Sequence, residues 1–163
     1  MLVSLQAAQA ADMPLVLAML HALGKSEGVA QVATTAEQLQ LACLGDAPAA
    51  YCRLIMRGEA VAGFLIYSWE WGTFTGQREL YMQALYIAPA HRRQGVARAA
   101  MAALAQIALA AACTRMEWLV VHDNAMSNGF YDSCGAVRAT HMAVRRLLQP
   151  ALGQLASEAA HAN

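Results

Sequence analysis

The spacing of hydrophobic and polar positions along the chain changes its period several times, which predicts a mixture of strands and helices. Residues 2–7 alternate apolar and polar side chains, as a half-buried strand does. Apolar residues then recur at helical spacing from Asp12, a candidate N-cap, to about Leu23, and Gly24 is the expected closing residue. A second, short helix is predicted to begin at a capping box formed by Thr35 and Gln38.

The middle of the chain predicts three strands in succession, followed by a helix. Residues 51–56 and 60–71 flank a short turn, which indicates an antiparallel hairpin. Residues 80–88 form an almost wholly apolar run that ends at Pro89, which is typical of a strand buried on both faces. After Gly95 the spacing returns to that of a helix and stays so to about residue 112.

The last third of the chain predicts two more strands around a short helix. Residues 115–121 resemble a buried strand, and Asn124 is a good N-cap for a helix that ends at Gly135. Residues 136–146 alternate loosely and are expected to close the sheet. The predicted order is strand, two helices, three strands, helix, strand, helix, strand, which indicates a mixed α/β sheet.

Composition limits the classes of protein to consider. A length of 163 residues predicts a single domain, residues 1–163, and equal numbers of basic and acidic residues argue against binding to nucleic acid or to an anionic membrane. Charged residues make up only 13% of the chain, so we expect a partner to cover some apolar surface. Trp69, Trp71 and Phe74 could line a substrate mouth, but packing at a sheet edge or subunit interface is the commoner role, and we expect a homodimer.

The cysteines and the termini give expectations about compartment and metal. The four cysteines are widely spaced, with no C-x-x-C and no histidine at a metal-ligand spacing, so we expect no metal site and reduced core thiols. The amino terminus lacks the basic and apolar regions of a signal peptide. The most apolar segment, residues 96–112, carries Arg98 and Gln106, which disfavours a membrane span. These features predict a soluble, cytoplasmic protein.

The loop between the apolar run and the third helix carries the clearest chemistry. Gly95 and Ala97 are small residues at a helix N-terminus, where backbone N–H groups lack intrahelical partners and can bind an anionic group. Arg92, Arg93 and Arg98 add positive charge, and no acidic residue lies between positions 80 and 112. The combination predicts a binding site for phosphate groups.

The sequence Arg92-Arg93-Gln94-Gly95-Val96-Ala97 resembles the Arg/Gln-x-x-Gly-x-Gly/Ala motif of the GCN5-related N-acetyltransferase (GNAT) superfamily. The resemblance covers nearly the whole chain and is closest to the diamine and polyamine acetyltransferase branch. It implies a mixed, mostly antiparallel central sheet flanked by helices. It also implies that acetyl-coenzyme A is the co-substrate and that this motif, together with Arg98, binds its phosphate groups.

A second motif strengthens the resemblance. Asn124, Tyr131 and Gly135 match the family pattern of Asn, six residues, Tyr, three residues and Gly. In that family the asparagine contacts the pantetheine arm, and the tyrosine is the general acid that protonates the departing thiolate. A phenol with a pKa near 10 is a suitable acid toward an alkyl thiolate in a dry pocket. The resemblance further implies that a backbone N–H group of Leu85, Tyr86 or Ile87 polarises the thioester carbonyl, and that the pantetheine adds to this strand.

One departure concerns the acceptor. The polyamine branch has Leu-Glu-Asp-Leu-Tyr-Val where this chain has residues 82–87, so Gln83 replaces the glutamate that binds or deprotonates the amine. An amide can orient a water or an amine but cannot act as the base. Glu79 has the same strand parity but lies about 13 Å away along the strand, within reach only through waters. Glu27 matches an acidic, substrate-contacting position of the branch.

The sequence therefore predicts a homodimeric N-acetyltransferase that moves acetyl directly from acetyl-coenzyme A to a small primary amine. The acceptor is either polyamine-like or diamine-like, or it resembles an amino acid. The alternative is an acyl-coenzyme A-binding module with little or no turnover, which the glutamine at position 83 motivates. A different phosphate-binding protein would leave the Asn124 to Gly135 motif unexplained.

Overall fold

The computed structural model describes residues 2–159, and the chain divides into two compact units, Met1–Ser127 and Asn128–Asn163. The elements in chain order are β1 (Val3–Ala7), a 3-10 turn (Ala10–Asp12), α1 (Met13–Ser26), α2 (Ala36–Cys43), β2 (Tyr51–Arg57), β3 (Ala60–Gly72), β4 (Gln77–Ile87), a second 3-10 turn (Pro89–His91), α3 (Val96–Ala110), β5 (Met116–Glu117), α4 (Ala125–Ser133) and α5 (Ala151–Ala159).

The first unit contains a five-stranded sheet with the order β1-β2-β3-β4-β5. Strands β1 to β4 pair antiparallel with their neighbours, whereas β5 is parallel to β4. Short turns join β2 to β3 and β3 to β4, whereas β4 reaches β5 through α3, as a parallel connection requires. The mixed, mostly antiparallel sheet and the hairpin over residues 51–71 confirm the predicted fold class.

Both faces of the sheet are covered because its central strands are apolar on both sides. On one face, Leu54, Phe64 and Tyr86 are buried together with Met13 and Val16 of α1. The alternate positions of β2 and β3 are buried too, and α3 contacts β1 and β4. The apolar residues on both sides of the pleat match the position of β2 and β3 inside the sheet, between β1 and β4.

The first helix ends later than the sequence pattern predicted. Helix α1 continues through Gly24 to Ser26, and it ends at Glu27 and Gly28, which has a positive φ of 74°. Gly24 is buried, and a Cβ atom at this position would come within 2.7 Å of Val32 Cγ2. Gly24 therefore permits close packing of the following loop, and Gly28 supplies the left-handed turn.

The two strands predicted near the end of the chain are the main errors. The strand expected over residues 115–121 forms only at Met116 and Glu117, which pair with Leu80 and Tyr81. The strand expected over residues 136–146 does not form in the described part of the chain, where turns and irregular backbone lead to α5 instead. Alternation of side chains makes a strand only where a neighbouring strand offers hydrogen bonds, and the sequence does not reveal that neighbour.

Three of the four cysteines, Cys43, Cys52 and Cys113, are buried, and Cys134 is exposed. Burial raises the pKa of the Cys52 thiol to about 12, so this thiol stays protonated at neutral pH. Within residues 2–159, no helix combines the length and the hydropathy needed to cross a bilayer.

Candidate functional site

The two edges of strand β4 differ in pairing. On one side β4 pairs with β3 along its length, from Gln77 to Ile87. On the other side β5 pairs only with Leu80 and Tyr81, where the Leu80 N–H group donates to the Arg115 carbonyl oxygen at 3.2 Å. The second half of β4 therefore has an edge that no described strand covers.

A β-bulge at Gln83 decides which backbone groups face this open edge. Ala84 pairs with Ile66 and Met82 pairs with Tyr67, so Gln83 is the extra residue of β4. Beyond the bulge, N–H and C=O groups alternate again between the two edges.

The groups next to the bulge fix this alternation. The Ala88 N–H group donates to the Ala62 carbonyl oxygen at 2.8 Å. The Tyr86 carbonyl oxygen faces β3 as well, because a Cβ atom at Gly63 would collide with it. The backbone groups of Leu85 and Ile87 therefore point toward the open edge. Such an edge can pair with an extended chain that carries amide groups, and its N–H groups can polarise a carbonyl.

The loop after β4 prepares an anion site at the N-terminus of α3. Arg93 and Gly95 have positive φ angles of 55° and 77°, and the helical ladder begins with the Ala99 N–H group donating to the Gly95 carbonyl oxygen at 3.0 Å. The N–H groups of Val96 and Ala97 precede this ladder, and the first turn of α3 has no acidic residue. A left-handed turn that enters a helix in this way forms a concave row of backbone N–H groups.

Gly95 leaves room for a ligand in this loop. A Cβ atom at Gly95 would meet no other described atom within 4 Å. Val96 is buried in the core, whereas Ala97 is half-buried and Arg98 is exposed on the first turn of α3. The space above the N–H groups is therefore open. The helix N-terminus and Arg98 make the electrostatic potential there positive.

Arg92 joins the loop to the strand edge. Its Nε atom donates to the Ile87 carbonyl oxygen at 2.8 Å, and its guanidinium carbon lies 5.5 Å from the centre of the Tyr86 ring. Gln94 similarly donates from Nε2 to the Ala90 carbonyl oxygen at 2.9 Å. Both side chains were predicted to bind the cofactor, and both contact the backbone of their own segment.

Arg57 was not identified from the sequence. It lies at the end of β2, and its Nη1 atom is 3.5 Å from Nδ1 of His91 in the loop. Residues 57 and 91 are distant in the sequence, so only the sheet brings this cation to the phosphate loop. The basic character of the loop therefore has a source outside the predicted motif.

Asn124 acts as the N-cap of α4. Its Oδ1 atom accepts a hydrogen bond from the Ser127 N–H group at 3.0 Å, and its own N–H group donates to the Val121 carbonyl oxygen at 3.0 Å. The predicted cap is confirmed. Contact with a pantetheine arm stays a prediction, and the side-chain NH2 group is the part of Asn124 suited to it.

Gln83 is exposed, and its side chain is held by a residue that sequence reasoning missed. Its Nε2 atom donates to Oγ of Ser68 on β3 at 3.2 Å. Residues 68 and 83 are not linked by any motif, and only the register of β3 against β4 brings them together. Glu27, the other predicted acceptor residue, is exposed just after α1.

Glu79 does not occupy the position of a missing base. Its side chain is buried, its Oε2 atom lies 2.8 Å from Arg115 Nη2, and its Oε1 atom accepts a hydrogen bond from Thr75 Oγ1 at 3.1 Å. These contacts tie the β3–β4 turn to the start of β5. Both carboxylate oxygens of Glu79 are therefore engaged within the sheet and its turn.

Tyr131 lies in the second unit, on α4. It is half-buried, its ring centroid is 5.1 Å from that of Phe130, and its carbonyl oxygen accepts from the Ala136 N–H group at 3.1 Å. Gly135 ends the helix with a φ of 86°. The helix over Asn124 to Gly135 is thus confirmed, and the acid role of Tyr131 stays a prediction. Among the described residues, no group of three His, Cys, Asp or Glu side chains could hold a metal ion.

The predicted aromatic cluster divides into two parts. Trp69 is half-buried, and its ring packs edge-on against Tyr67 at 5.3 Å with the Arg78 guanidinium above it. Trp71 and Phe74 are exposed near the β3–β4 turn. Trp69 therefore packs against the sheet, and only the other two residues offer apolar surface to a partner.

The known proteins that this chain resembles are described as acetyltransferases or acetyltransferase-like. The sequence profile described as the acetyltransferase (GNAT) family matches residues 17–136. The chain is 33% identical over 125 residues to a thialysine N-epsilon-acetyltransferase of Caenorhabditis elegans, with 76% of each chain covered. It is 30% identical over 138 residues to the spermidine/spermine N(1)-acetyltransferase-like protein 1 of Homo sapiens, which covers 80% of this chain and 20% of that protein.

Solved structures share the fold. An integron cassette protein from the mobile metagenome of V. cholerae superimposes with a TM-score of 0.76 at 21% identity, covering 96% of this chain and 98% of that one. A possible acetyltransferase from Clostridium difficile 630 gives a TM-score of 0.74 at 16% identity, covering 91% and 99%. At these identities the two structures show a shared fold.

Proposed function

Because the chain belongs to the GNAT acetyltransferase family and is an acetyl-transferring enzyme, we propose that it moves acetyl from acetyl-coenzyme A directly to a small primary amine. The observation that carries this proposal is that the open edge of β4 leads directly into an anion-binding loop. An extended amide chain with a pyrophosphate at one end and a thioester at the other has the chemistry that these two features accept.

Different groups of the loop have different roles in binding the cofactor. Backbone N–H groups from Gly95 to Ala97 bind the pyrophosphate, and Arg93 and Arg98 add charge. Arg92 supports the loop from the strand edge through the Ile87 carbonyl oxygen. The pantetheine pairs with Leu85 and Ile87, and the Asn124 side chain contacts it from the start of α4. The family's use of acetyl-coenzyme A supports this assignment.

The reaction is a direct acyl transfer. The nitrogen lone pair of the amine attacks the thioester carbonyl carbon while an N–H group at Leu85 or Ile87 stabilises the developing oxyanion. Collapse of the tetrahedral intermediate breaks the C–S bond, and the Tyr131 hydroxyl donates its proton to the thiolate. The proton that the amine loses passes to water, since the Gln83 amide cannot accept it, and the Tyr131 phenolate regains a proton from water. The role of Tyr131 rests on its spacing within the Asn124 to Gly135 motif.

The acceptor that we propose is an ω-amine, meaning a primary amine at the end of a flexible chain. The names of two relatives, a thialysine N-epsilon-acetyltransferase and a spermidine/spermine N(1)-acetyltransferase-like protein, support this class. Gln83 adds a further preference. Without a carboxylate at this position the enzyme must use the neutral amine, so amines of lower pKa should be relatively better substrates. The same glutamine also favours the second candidate, a module that binds acyl-coenzyme A with little turnover.

Replacement of Tyr131 by phenylalanine tests the proposal and separates the two candidates. The substitution keeps the ring and removes the acid, so coenzyme A release with thialysine or spermidine should fall by about 10²- to 10⁴-fold while acetyl-coenzyme A affinity changes little. Release is measured by chromatography because the exposed Cys134 would react with a thiol reagent. A parent protein that binds acetyl-coenzyme A but acetylates no amine would support the binding module. Equal turnover in Tyr131→Phe would instead remove this tyrosine from the mechanism.

We also propose that the protein is a homodimer, with Trp71 and Phe74 in the interface. Their exposed rings at the β3–β4 turn and the low charged fraction of the chain support this assembly. Light scattering at micromolar concentration should report twice the chain mass for the parent and a single chain mass for a Trp71→Ser, Phe74→Ser variant. A monomeric parent would contradict the proposal.

A further inference from the structure

Arg92 lies between the two halves of the proposed coenzyme A site, which are the open edge of β4 and the anion-binding loop before α3. We propose that Arg92 is a positioning residue whose Nε–H group, and not its charge, fixes the loop against the end of that edge. Coenzyme A contacts both halves at once, so a fixed distance between them favours the whole cofactor over its separate parts. The inference rests on the proposed function, because it requires coenzyme A to bind here.

The hydrogen bond of Arg92 joins the loop to the edge that the pantetheine is proposed to pair with. Its Nε atom donates to the Ile87 carbonyl oxygen at 2.8 Å. Ile87 is the last residue of β4, and its backbone groups point toward the open edge, as those of Leu85 do. An Nε–H group can only donate and a backbone carbonyl oxygen can only accept, so the polarity of this bond is fixed.

The chain between the two partners is short and folded. Residues 89–91 form a 3-10 turn, and the Arg92 N–H group donates to the Pro89 carbonyl oxygen at 3.2 Å. Arg93 follows with a positive φ of 55° and begins the left-handed entry to α3. Arg92 is therefore the last residue before the backbone N–H groups of the anion site, and its side chain returns to the strand.

A buried ring supports the guanidinium group of Arg92. Its carbon atom lies 5.5 Å from the centre of the Tyr86 ring. Tyr86 is buried, and its ring centroid is 6.2 Å from that of Phe64 in the core. A cation above a fixed ring has fewer conformations, which favours the hydrogen bond to Ile87.

The residue types that the motif allows at this position also indicate a donor instead of a charge. The motif that residues 92–97 match accepts arginine or glutamine at its first position. Arginine Nε and glutamine Nε2 are N–H donors at the same number of bonds from Cα, so either can reach the same carbonyl oxygen. Gln94 makes such a bond in this loop, because its Nε2 atom donates to the Ala90 carbonyl oxygen at 2.9 Å. A full positive charge is available to arginine alone.

The test compares the parent with Arg92→Gln and Arg92→Met. Both variants are neutral and unbranched, but only glutamine keeps an N–H donor at the ε position. Calorimetric titration should show that Arg92→Met lowers coenzyme A affinity by about tenfold, the effect of one hydrogen bond and the ring contact. Arg92→Gln loses only the ring contact and should stay within about threefold of the parent. Equal losses in the two variants would overturn the role of the Nε–H group.

Titration with the two halves of coenzyme A separates positioning from direct binding. The probes are pantetheine and adenosine 3′-phosphate 5′-diphosphate, and their binding is followed by the amide NMR signals of a ¹⁵N-labelled protein. In Arg92→Met, the affinity for each half should stay within about twofold of the parent while the affinity for whole coenzyme A falls. If the nucleotide half weakened as much as coenzyme A, Arg92 would act within the loop alone and the positioning role would be refuted.

The same titrations distinguish a failure of this inference from a failure of the proposed function. A parent protein that binds coenzyme A but acetylates no amine would remove only the proposed acyl transfer, and the predicted order of the variants would still sustain the role of Arg92. A parent that binds no coenzyme A would overturn both. A parent that transfers acetyl normally, with Arg92→Met unchanged in coenzyme A affinity, would overturn the positioning role alone.

Discussion

Helices α2 and α3 begin in opposite ways, and the difference supports the ligand site proposed at the start of α3. At the start of α2, Thr35 Oγ1 accepts from the Gln38 N–H group at 3.2 Å, and Gln38 Oε1 accepts from the Thr35 N–H group at 3.0 Å. At the start of α3, Gly95 is the N-cap and offers no side chain. The start of α2 pairs two N–H groups with side chains of its own segment, whereas α3 has no side-chain cap and leaves the N–H groups of Val96 and Ala97 ahead of its ladder.

The charges at the two helix starts differ in the same sense. Glu37 lies in the first turn of α2, and a backbone hydrogen bond, with the Thr35 hydroxyl, holds the pKa of this carboxyl below its ordinary value. The first turn of α3 has no acidic residue, and Arg93 and Arg98 lie beside it. A helix N-terminus favours negative charge, so α2 carries its own anion and α3 is ready for one from outside.

The largest effect that would test this comparison is expected at Gly95. Gly95→Glu introduces bulk and negative charge into open space above the N–H groups, so affinity for coenzyme A should fall by about 100-fold or more, equivalent to about 2.7 kcal/mol. The left-handed backbone adds about 1–2 kcal/mol of strain, which the fold should tolerate. Calorimetric titration measures the affinity, and circular dichroism measures the fold.

Gly76→Glu is the matched control for that experiment. Gly76 has a φ of 65°, and a Cβ atom there also meets open space, but it lies in the turn before β4. The Gly76→Glu protein should lose about as much stability as the Gly95→Glu protein but keep the parent's affinity for coenzyme A. Equal losses of affinity in the two variants would mean that strain, and not the anion site, explains the effect at Gly95.

A smaller effect is expected at α2, and it should appear in stability instead of in coenzyme A affinity. Thr35→Ala removes the side-chain half of the capping box, so the free energy of unfolding should decrease by about 1 kcal/mol while coenzyme A affinity stays the same. Urea denaturation and titration of the same samples measure both quantities. If Thr35→Ala weakened coenzyme A binding as strongly as it weakened the fold, the two helix starts would not be functionally distinct.

Much of the fold was predictable because local patterns and tertiary packing agree. The hairpin over residues 51–71, the buried strand before Pro89 and helix α3 after Gly95 follow directly from apolar spacing and turn residues. The capping box of α2 and the Asn124 cap were also readable, because each hydrogen bond joins residues three positions apart. The family motif around Gly95 belongs to this local class.

Other features depend on which segments meet, and these were predicted poorly. The strand expected over residues 136–146 has the required alternation, but a strand needs an edge to pair with, and that edge is a tertiary property. The sequence placed Glu79 too far from Gln83 to act except through waters, but it did not show the ion pair of Glu79 with Arg115, which lies far along the chain.

The sequence alone predicted the proposed anion loop, because a glycine before a helix start and nearby arginines can be identified without the fold. It also determined that position 83 carries an amide in place of the branch's glutamate. The tertiary structure decided which side chain that amide contacts, because the bulge at Gln83 and the register of β3 against β4 place Ser68 within hydrogen-bonding distance. A shift of one residue in that register would send each side chain to the other face, and the bulge that sets the register beyond Gln83 exists only in the paired strands.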